Sequence, residues 1–157
     1  MENEEDYKPI SRKLNIILAE DDHDDRLLFE EVLDELPVSV QLTTFDNGDE
    51  LMEWLYSDKN KLPDALFLDL NMPRKNGFAA LGEIKRNTDL QDLPVIIFST
   101  TTNREMIKKV FKDAAHYYIR KPANFWELKK MIYKSLKLIA EDDMALPGKE
   151  SFMLTTD

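Results

Sequence analysis

Four short apolar runs of this chain each lead into residues that could do chemistry together. Glu20 and Asp21 follow the first, Asp69 closes another, Ser99 and Thr100 close a third, and Lys121-Pro122 follow the last. Three carboxylates gathered at one place repel one another, and a neighbouring cation relieves this. A hard divalent ion with oxygen ligands, Mg²⁺, suits such a set. It would also neutralise charge on an incoming phosphoryl group. Asp69 is then a candidate nucleophile, because carboxylates form acyl phosphates. Each residue alone has an ordinary reading. An acidic loop is often only solvated, a strand-end Asp forms turns or caps, a Ser bonds backbone, and a Lys lies on the surface. Their joint, ordered occurrence is what carries weight.

The elements that would position them alternate. Residues 14–19 form an apolar run that reads as a buried strand. Leu28, Val32 and Leu36 then repeat at helical spacing, and Pro37 closes that helix. Val38–Phe45 reads as a second strand. Asp46, with Asp49 three later, opens a second helix with Leu51, Trp54 and Leu55 on its apolar face. Residues 65–69 read as strand 3, followed by a helix carrying Phe78, Leu81 and Ile84. Val95–Ser99 reads as strand 4, and Thr102 with Glu105 makes a capping box for a helix with Met106, Val110 and Phe111. Residues 116–120 read as strand 5. Asn124 caps a last helix whose inner face is Leu128, Ile132, Leu136 and Ile139. Five strand–helix units with continuous apolar strands predict an α/β fold, a parallel sheet covered on both faces. In such sheets the functional crevice lies outside the carboxyl ends of the strands, where the reactive residues fall. Residues 1–13 read as a flexible acidic N-terminal tail, 14–140 as the folded domain and 141–157 as a C-terminal tail.

Composition narrows the function. The 157 residues hold 21 Lys and Arg against 31 Asp and Glu, a net charge of −10. Such a chain lacks the positive surface that nucleic acids or anionic membranes attract. There is no Cys, so disulfides, thiolate metal sites and Cys nucleophiles are excluded. No apolar run reaches the length of a membrane span, and the N-terminus is acidic where a signal peptide is basic. The expected location is cytoplasmic.

Four motifs together resemble the receiver domain of response regulators, the CheY-like phospho-acceptor module of two-component signalling. They are Ile17-Leu18-Ala19-Glu20-Asp21-Asp22, Phe67-Leu68-Asp69-Leu70-Asn71-Met72-Pro73, Pro94-Val95-Ile96-Ile97-Phe98-Ser99 and Tyr118-Ile119-Arg120-Lys121-Pro122. The resemblance covers residues 14–139. Leu68-Asp69-Leu70-Asn71, Glu83-Ile84-Lys85, Ser99-Thr100 and Ala123-Asn124 bring it nearest to single-domain regulators that partner phytochrome-type histidine kinases. The resemblance implies a doubly wound, flavodoxin-like (βα)5 fold with strand order 2-1-3-4-5. It implies that Asp69 accepts the phosphoryl group and that Asp21, Glu20 (through water) and the Asn71 carbonyl hold Mg²⁺ beside it. Ser99 and Lys121 match the switch hydroxyl and lysine, Tyr118 the aromatic rotamer switch. The Lys121-Pro122 bond is expected to be cis. Thr100, where a small residue is common, would narrow access to the phosphoryl group. The implied partners are a histidine kinase or phosphotransfer protein, and a second copy bound through helix 4, strand 5 and helix 5. The chain would be no enzyme beyond self-phosphorylation and slow autodephosphorylation. The residues after Ile139 are too few for a DNA-binding output module.

The basic row Lys130, Lys134 and Lys137 reads either as a solvated helix face or as part of a partner surface. The run 77–82 has the glycine spacing of a phosphate loop but continues with Glu83-Ile84 and lies on a helix. His23 and His116 have no metal-ligand spacing and no catalytic partner. Two other classes stay open. A Mg²⁺-dependent phosphatase would use Asp69 but lacks a second acid, since position 71 is Asn. A phosphorylation-independent adaptor would need a decayed site, against which the complete residue set speaks.

Overall fold

A computed structural model describes residues 7–57, 59, 61–142 and 145–155. In chain order the elements are β1 (Ile10–Ala19), α1 (His23–Glu35), β2 (Val38–Phe45), α2 (Gly48–Tyr56), β3 (Ala65–Leu68), α3 (Gly77–Arg86), β4 (Val95–Ser99), α4 (Arg104–Lys112), β5 (Tyr117–Arg120) and α5 (Phe125–Ala140). The five strands form one parallel sheet in the order β2-β1-β3-β4-β5.

Strand side chains point alternately to the two faces, so the apolar runs feed two cores at once. Ile17, Leu66, Leu68, Val95 and Ile97 pack with α2, α3 and Val110 of α4. Ile16, Leu18, Phe67, Ile96, Phe98 and Ile119 pack with α1 and α5. Phe29 anchors the second core edge-on to Phe67 at 5.0 Å and near Phe98 at 5.8 Å. The face α1 buries is therefore Phe29, Val32 and Leu36, one residue round from the expected stripe, and Leu28 is 39% exposed.

Every helix starts on an Asx cap. Asp22, Asn47, Asn76, Asn103 and Asn124 each accept an amide from the first turn, which satisfies donors that have no partner in the helix. The caps of α2 and α4 thus sit one residue later than Asp46 and Thr102. Asn47 Oδ1 takes Glu50 N–H at 2.9 Å, while Asp46 holds the Asn47 amide. Asn103 Oδ1 takes the N–H groups of both Glu105 and Met106. β5 begins at Tyr117; His116 is buried just before it, with Nδ1 accepting Val95 N–H at 3.3 Å.

Both supposed tails contain docked segments. β1 starts at Ile10, whose N–H donates to Pro37 O at 3.0 Å. Tyr7 is buried edge-on to Tyr133 at 4.9 Å, and Tyr133 Oη donates to Lys8 O. Residues 1–6 lie outside the described residues. At the other end Phe152 is buried and Met153 makes a parallel bridge with Tyr118.

One half-buried cation supports the turn into β4. Lys85 Nζ donates to Gln91 O and Leu93 O at 3.2 and 3.1 Å. Burial pushes this ammonium down to about 8. Between that value and the ordinary 10.5 the unfolded chain binds more protons than the folded one, so stability rises with pH. The stability difference between wild type and Lys85→Met is expected to grow by roughly 2–3 kcal/mol between pH 8 and pH 10. Urea unfolding of both chains at the two pH values measures it; a constant difference would contradict the assignment.

Candidate phospho-acceptor site

Sheet register brings the reactive residues together. Glu20 N–H donates to Phe45 O as β1 ends, Asp69 N–H donates to Ala19 O as β3 ends, and Lys121 N–H donates to Ser99 O as β4 and β5 end. Glu20 is fully buried, Asp69 nearly so, and Asp21 is exposed at the mouth. Carboxylate oxygens of Glu20, Asp21 and Asp69 lie within 4.8 Å of one another. Burial, and then the hydrogen bond shared with Asp69, push the Glu20 carboxyl up to about 8 against the pull of Lys121. The site is short of positive charge and rich in hard oxygen donors, which fits a divalent cation.

Lys121 reaches in from β5. Its ammonium contacts Glu20 Oε1, lies 2.8 Å from Asp25 Oδ2 and 3.8 Å from Asp69 Oδ2, and sits 5.0 Å over the Phe98 ring. Burial opposes its charge, but the hydrogen bonds to Asp25 and Glu20 and the charge of Asp69 outweigh this and raise its pKa. The peptide bond to Pro122 is trans, since there is no cis bond among the described residues. A trans bond carries no penalty at X-Pro, and Lys121 meets its three carboxylates without a cis turn.

Ser99 and Tyr118 are linked to one another through Thr101. Ser99 is fully buried, and its Oγ accepts Thr101 N–H at 3.3 Å. Tyr118 Oη donates to Thr101 O at 2.9 Å. Burial raises the Tyr118 pKa, so the phenol stays a donor. Thr100 is exposed beside Ser99. Asn71 N–H donates to Asp69 Oδ1 at 3.3 Å, and Asn71 is exposed.

Asp25 and Arg26 are site residues that the sequence reading missed. Asp25 shares Lys121 with Glu20, and Arg26 Nη1 donates to Glu20 O at 3.0 Å. The signal was present: Asp25 stands four residues after Asp21, on the first turn of a helix that starts at the strand end. His23 is exposed, 3.5 Å from Arg26 through Nδ1.

Gly77 bounds the loop from Asp69 to α3. A Cβ there would collide with Asp69 O and come within 2.7 Å of Leu70 Cα, while Gly77 N–H donates to Leu70 O. Because only backbone is in the way, Gly77→Ala is expected to cost at least about 2 kcal/mol of stability. It should also slow phosphoryl uptake by displacing Asp69. Urea unfolding and uptake kinetics on the same preparation test this, and wild-type values for both would refute it.

The chain matches the response regulator receiver domain over residues 16–133. It is a member of that family. It is 31% identical over 121 residues to the response regulator Rcp1 of Synechocystis sp., a span of 74% of this chain and 82% of the relative. The crystal structure of the phosphorylated cyanobacterial phytochrome response regulator RcpA superposes with a TM-score of 0.74 at 32% identity, covering 87% of this chain and all of that one. The Mn(2+)-bound form of Rcp1 superposes with a TM-score of 0.73 at 28% identity, covering 86% and 99%. Receiver domains are signalling modules of two-component systems that interact with histidine kinases and bind a divalent metal. No helix among the described residues is long and apolar enough to cross a membrane.

Proposed function

We propose that this receiver domain accepts a phosphoryl group on Asp69 and uses it to switch a protein-binding surface. The observation that carries the reading is a nearly buried Asp69 carboxylate held between an acidic pair and an ammonium 3.8 Å away. A carboxylate oxygen of Asp69 attacks phosphorus of a kinase phosphohistidine. The P–N bond breaks, its electron pair stays on the imidazole, and that nitrogen takes up a proton. The acyl phosphate remains on Asp69. Catalysis here is positioning and charge stabilisation, most of what phosphoryl transfer needs. Glu20, Asp21, Asp69 and the Asn71 carbonyl would hold Mg²⁺, which when bound neutralises phosphoryl charge.

The phosphoryl oxygens then compete for the donors around them. Lys121 can turn from Glu20 and Asp25, and Ser99 Oγ–H can turn from its present surroundings. Each charge-assisted hydrogen bond supplies about 1.5–3 kcal/mol. Together they approach the ~5.5 kcal/mol that carries an equilibrium from 1:99 to 99:1. Ser99 acts on Tyr118 through Thr101, so the output surface is α4, β5 and α5, a face suited to a second copy or to the kinase. Thr100 at the mouth restricts water and sets the lifetime of the acyl phosphate. Similarity to Rcp1 and RcpA supports a phytochrome-type kinase as donor. The chain would turn over no external substrate beyond its own slow dephosphorylation. Radiolabelled phosphohistidine kinase mixed with the chain tests the reading: label should move to the chain in the presence of Mg²⁺. Label that stays on every phytochrome-type kinase tried, and no labelling by a small acyl phosphate, would overturn it.

A further inference from the structure

The free edge of β5 is covered by the chain itself. Tyr118 N–H donates to Phe152 O at 3.0 Å and Leu154 N–H donates to Tyr118 O at 2.9 Å. Residues 152–154 therefore lie against the sheet as a short parallel strand. Phe152 fills a slot, edge-on to Phe111 at 5.2 Å and tilted against Tyr118 at 6.2 Å. Lys134 Nζ fastens the end by donating to Thr155 O at 2.5 Å. The residues leading in, 148–151, are exposed, so the segment can leave without disturbing the sheet beneath it. Beside it runs a groove floored by Ile107, Phe111 and Met153 and rimmed by Arg104, Lys108 and Lys149. A basic rim is out of keeping with a chain of net charge −10, and it favours an acidic ligand.

The covered ring belongs to the switch. Tyr118 holds Phe152 on one side and Thr101 O on the other, and Thr101 N–H rests on Ser99 Oγ. Three contacts thus join the phospho-acceptor site to the C-terminal segment. When Ser99 turns toward a phosphoryl oxygen, Thr101 loses its acceptor and moves, and Tyr118 loses the carbonyl that fixes its ring. The wall of the Phe152 slot goes with it.

We propose that the β5 edge, Phe111 and Tyr118 form a docking site for an extended segment of a partner protein, with an aromatic residue at the Phe152 position and acidic residues beside it. Residues 150–154, Glu150-Ser151-Phe152-Met153-Leu154, occupy this site as an internal stand-in, and phosphorylation of Asp69 loosens them. Strand addition to a sheet edge is a recurrent way of binding peptides. The inference rests on the phospho-acceptor reading. It also carries a reciprocal consequence: whatever factor the phosphoryl group takes from docking of the segment, loss of the segment returns to phosphoryl binding.

The test uses the full chain with Mg²⁺ and beryllofluoride as phosphoryl mimic. Fluorine NMR reports mimic binding, and amide hydrogen exchange reports the Leu154 and Tyr118 N–H groups. Addition of the mimic should speed exchange at Leu154 about tenfold, within the usual range of such couplings. Phe152→Ala should bind the mimic more tightly by up to the same factor. A synthetic peptide with the sequence of residues 148–155 should bind Phe152→Ala at least about tenfold better than wild type. Mimic binding with unchanged exchange at Leu154 would overturn this inference alone, as would equal peptide affinity for the two chains. No mimic binding would overturn it together with the phospho-acceptor reading.

Discussion

Asp69→Asn is expected to leave the fold intact and to lower phosphoryl uptake on the order of a thousandfold or more. The amide cannot act as the nucleophile, and among the described residues no other carboxylate stands in its place. Glu20 is fully buried, with Lys121 on Oε1 and Asp22 N–H on Oε2, and Asp25 is held to Lys121. Asp21 is exposed at the mouth. The variant should also be slightly more stable than wild type when metal is chelated. Removing the Asp69 charge relieves Glu20, whose carboxyl its neighbour helps to push up to about 8. Uptake from acetyl phosphate followed by intact mass, and urea unfolding in chelator, measure both effects. Undiminished uptake by the variant would move the chemistry to another residue.

Lys121→Met carries the second large effect, and it separates stability from switching. Met has nearly the shape of the lysine stem, so packing against Phe98 survives. What is lost is the cation that Glu20, Asp25 and Asp69 share. Removing one partner from a buried ion pair leaves the other charges uncompensated and typically costs 3–5 kcal/mol. The loss here is expected near the lower end, about 3 kcal/mol in chelator, because Asp25 is partly exposed and can turn to water. A divalent metal supplies the missing charge, so Mg²⁺ should raise the stability of Lys121→Met more than that of wild type. The phosphorylated variant should also fail to move Tyr118, since one of the two phosphoryl donors is gone. Urea unfolding with and without Mg²⁺, and NMR of the Tyr118 ring with beryllofluoride, test the two parts. Wild-type stability in chelator would show that the three carboxylates do not depend on Lys121.

What the sequence disclosed follows from where the energy lies. β3, β4 and the last four residues of β1 are buried on both faces, so their apolar runs are continuous and unambiguous. Their carboxyl ends are fixed by register, and with them Glu20, Asp69, Ser99 and Lys121. The match to a receiver domain confirmed the sheet order and the function class. The ends of the chain were less legible because single anchors hold them. Tyr7 stands alone in a polar stretch and Phe152 opens an apolar run of only three residues, Phe152-Met153-Leu154, too short to show a period that would reveal the slot each fills. Helix starts were displaced by one residue at α2 and α4, where adjacent residues compete as caps and only geometry decides. Leu28 occupied a valid helical stripe, but Phe29 buries more area and turned the helix toward itself. Asp25 was hidden among four neighbouring acidic residues, Glu20, Asp21, Asp22 and Asp24, and its partner Lys121 lies 96 positions away.

The central claim is that Asp69 takes the phosphoryl group, and intact-protein mass spectrometry of the full chain tests it most directly. The chain is incubated with acetyl phosphate and Mg²⁺, then digested to place the adduct. One phosphoryl group per chain, labile to hydroxylamine, carried by the peptide containing Asp69 and absent when the metal is chelated, is the predicted result. A stable adduct on Ser or Thr, or an acyl phosphate on any other carboxylate, would contradict it.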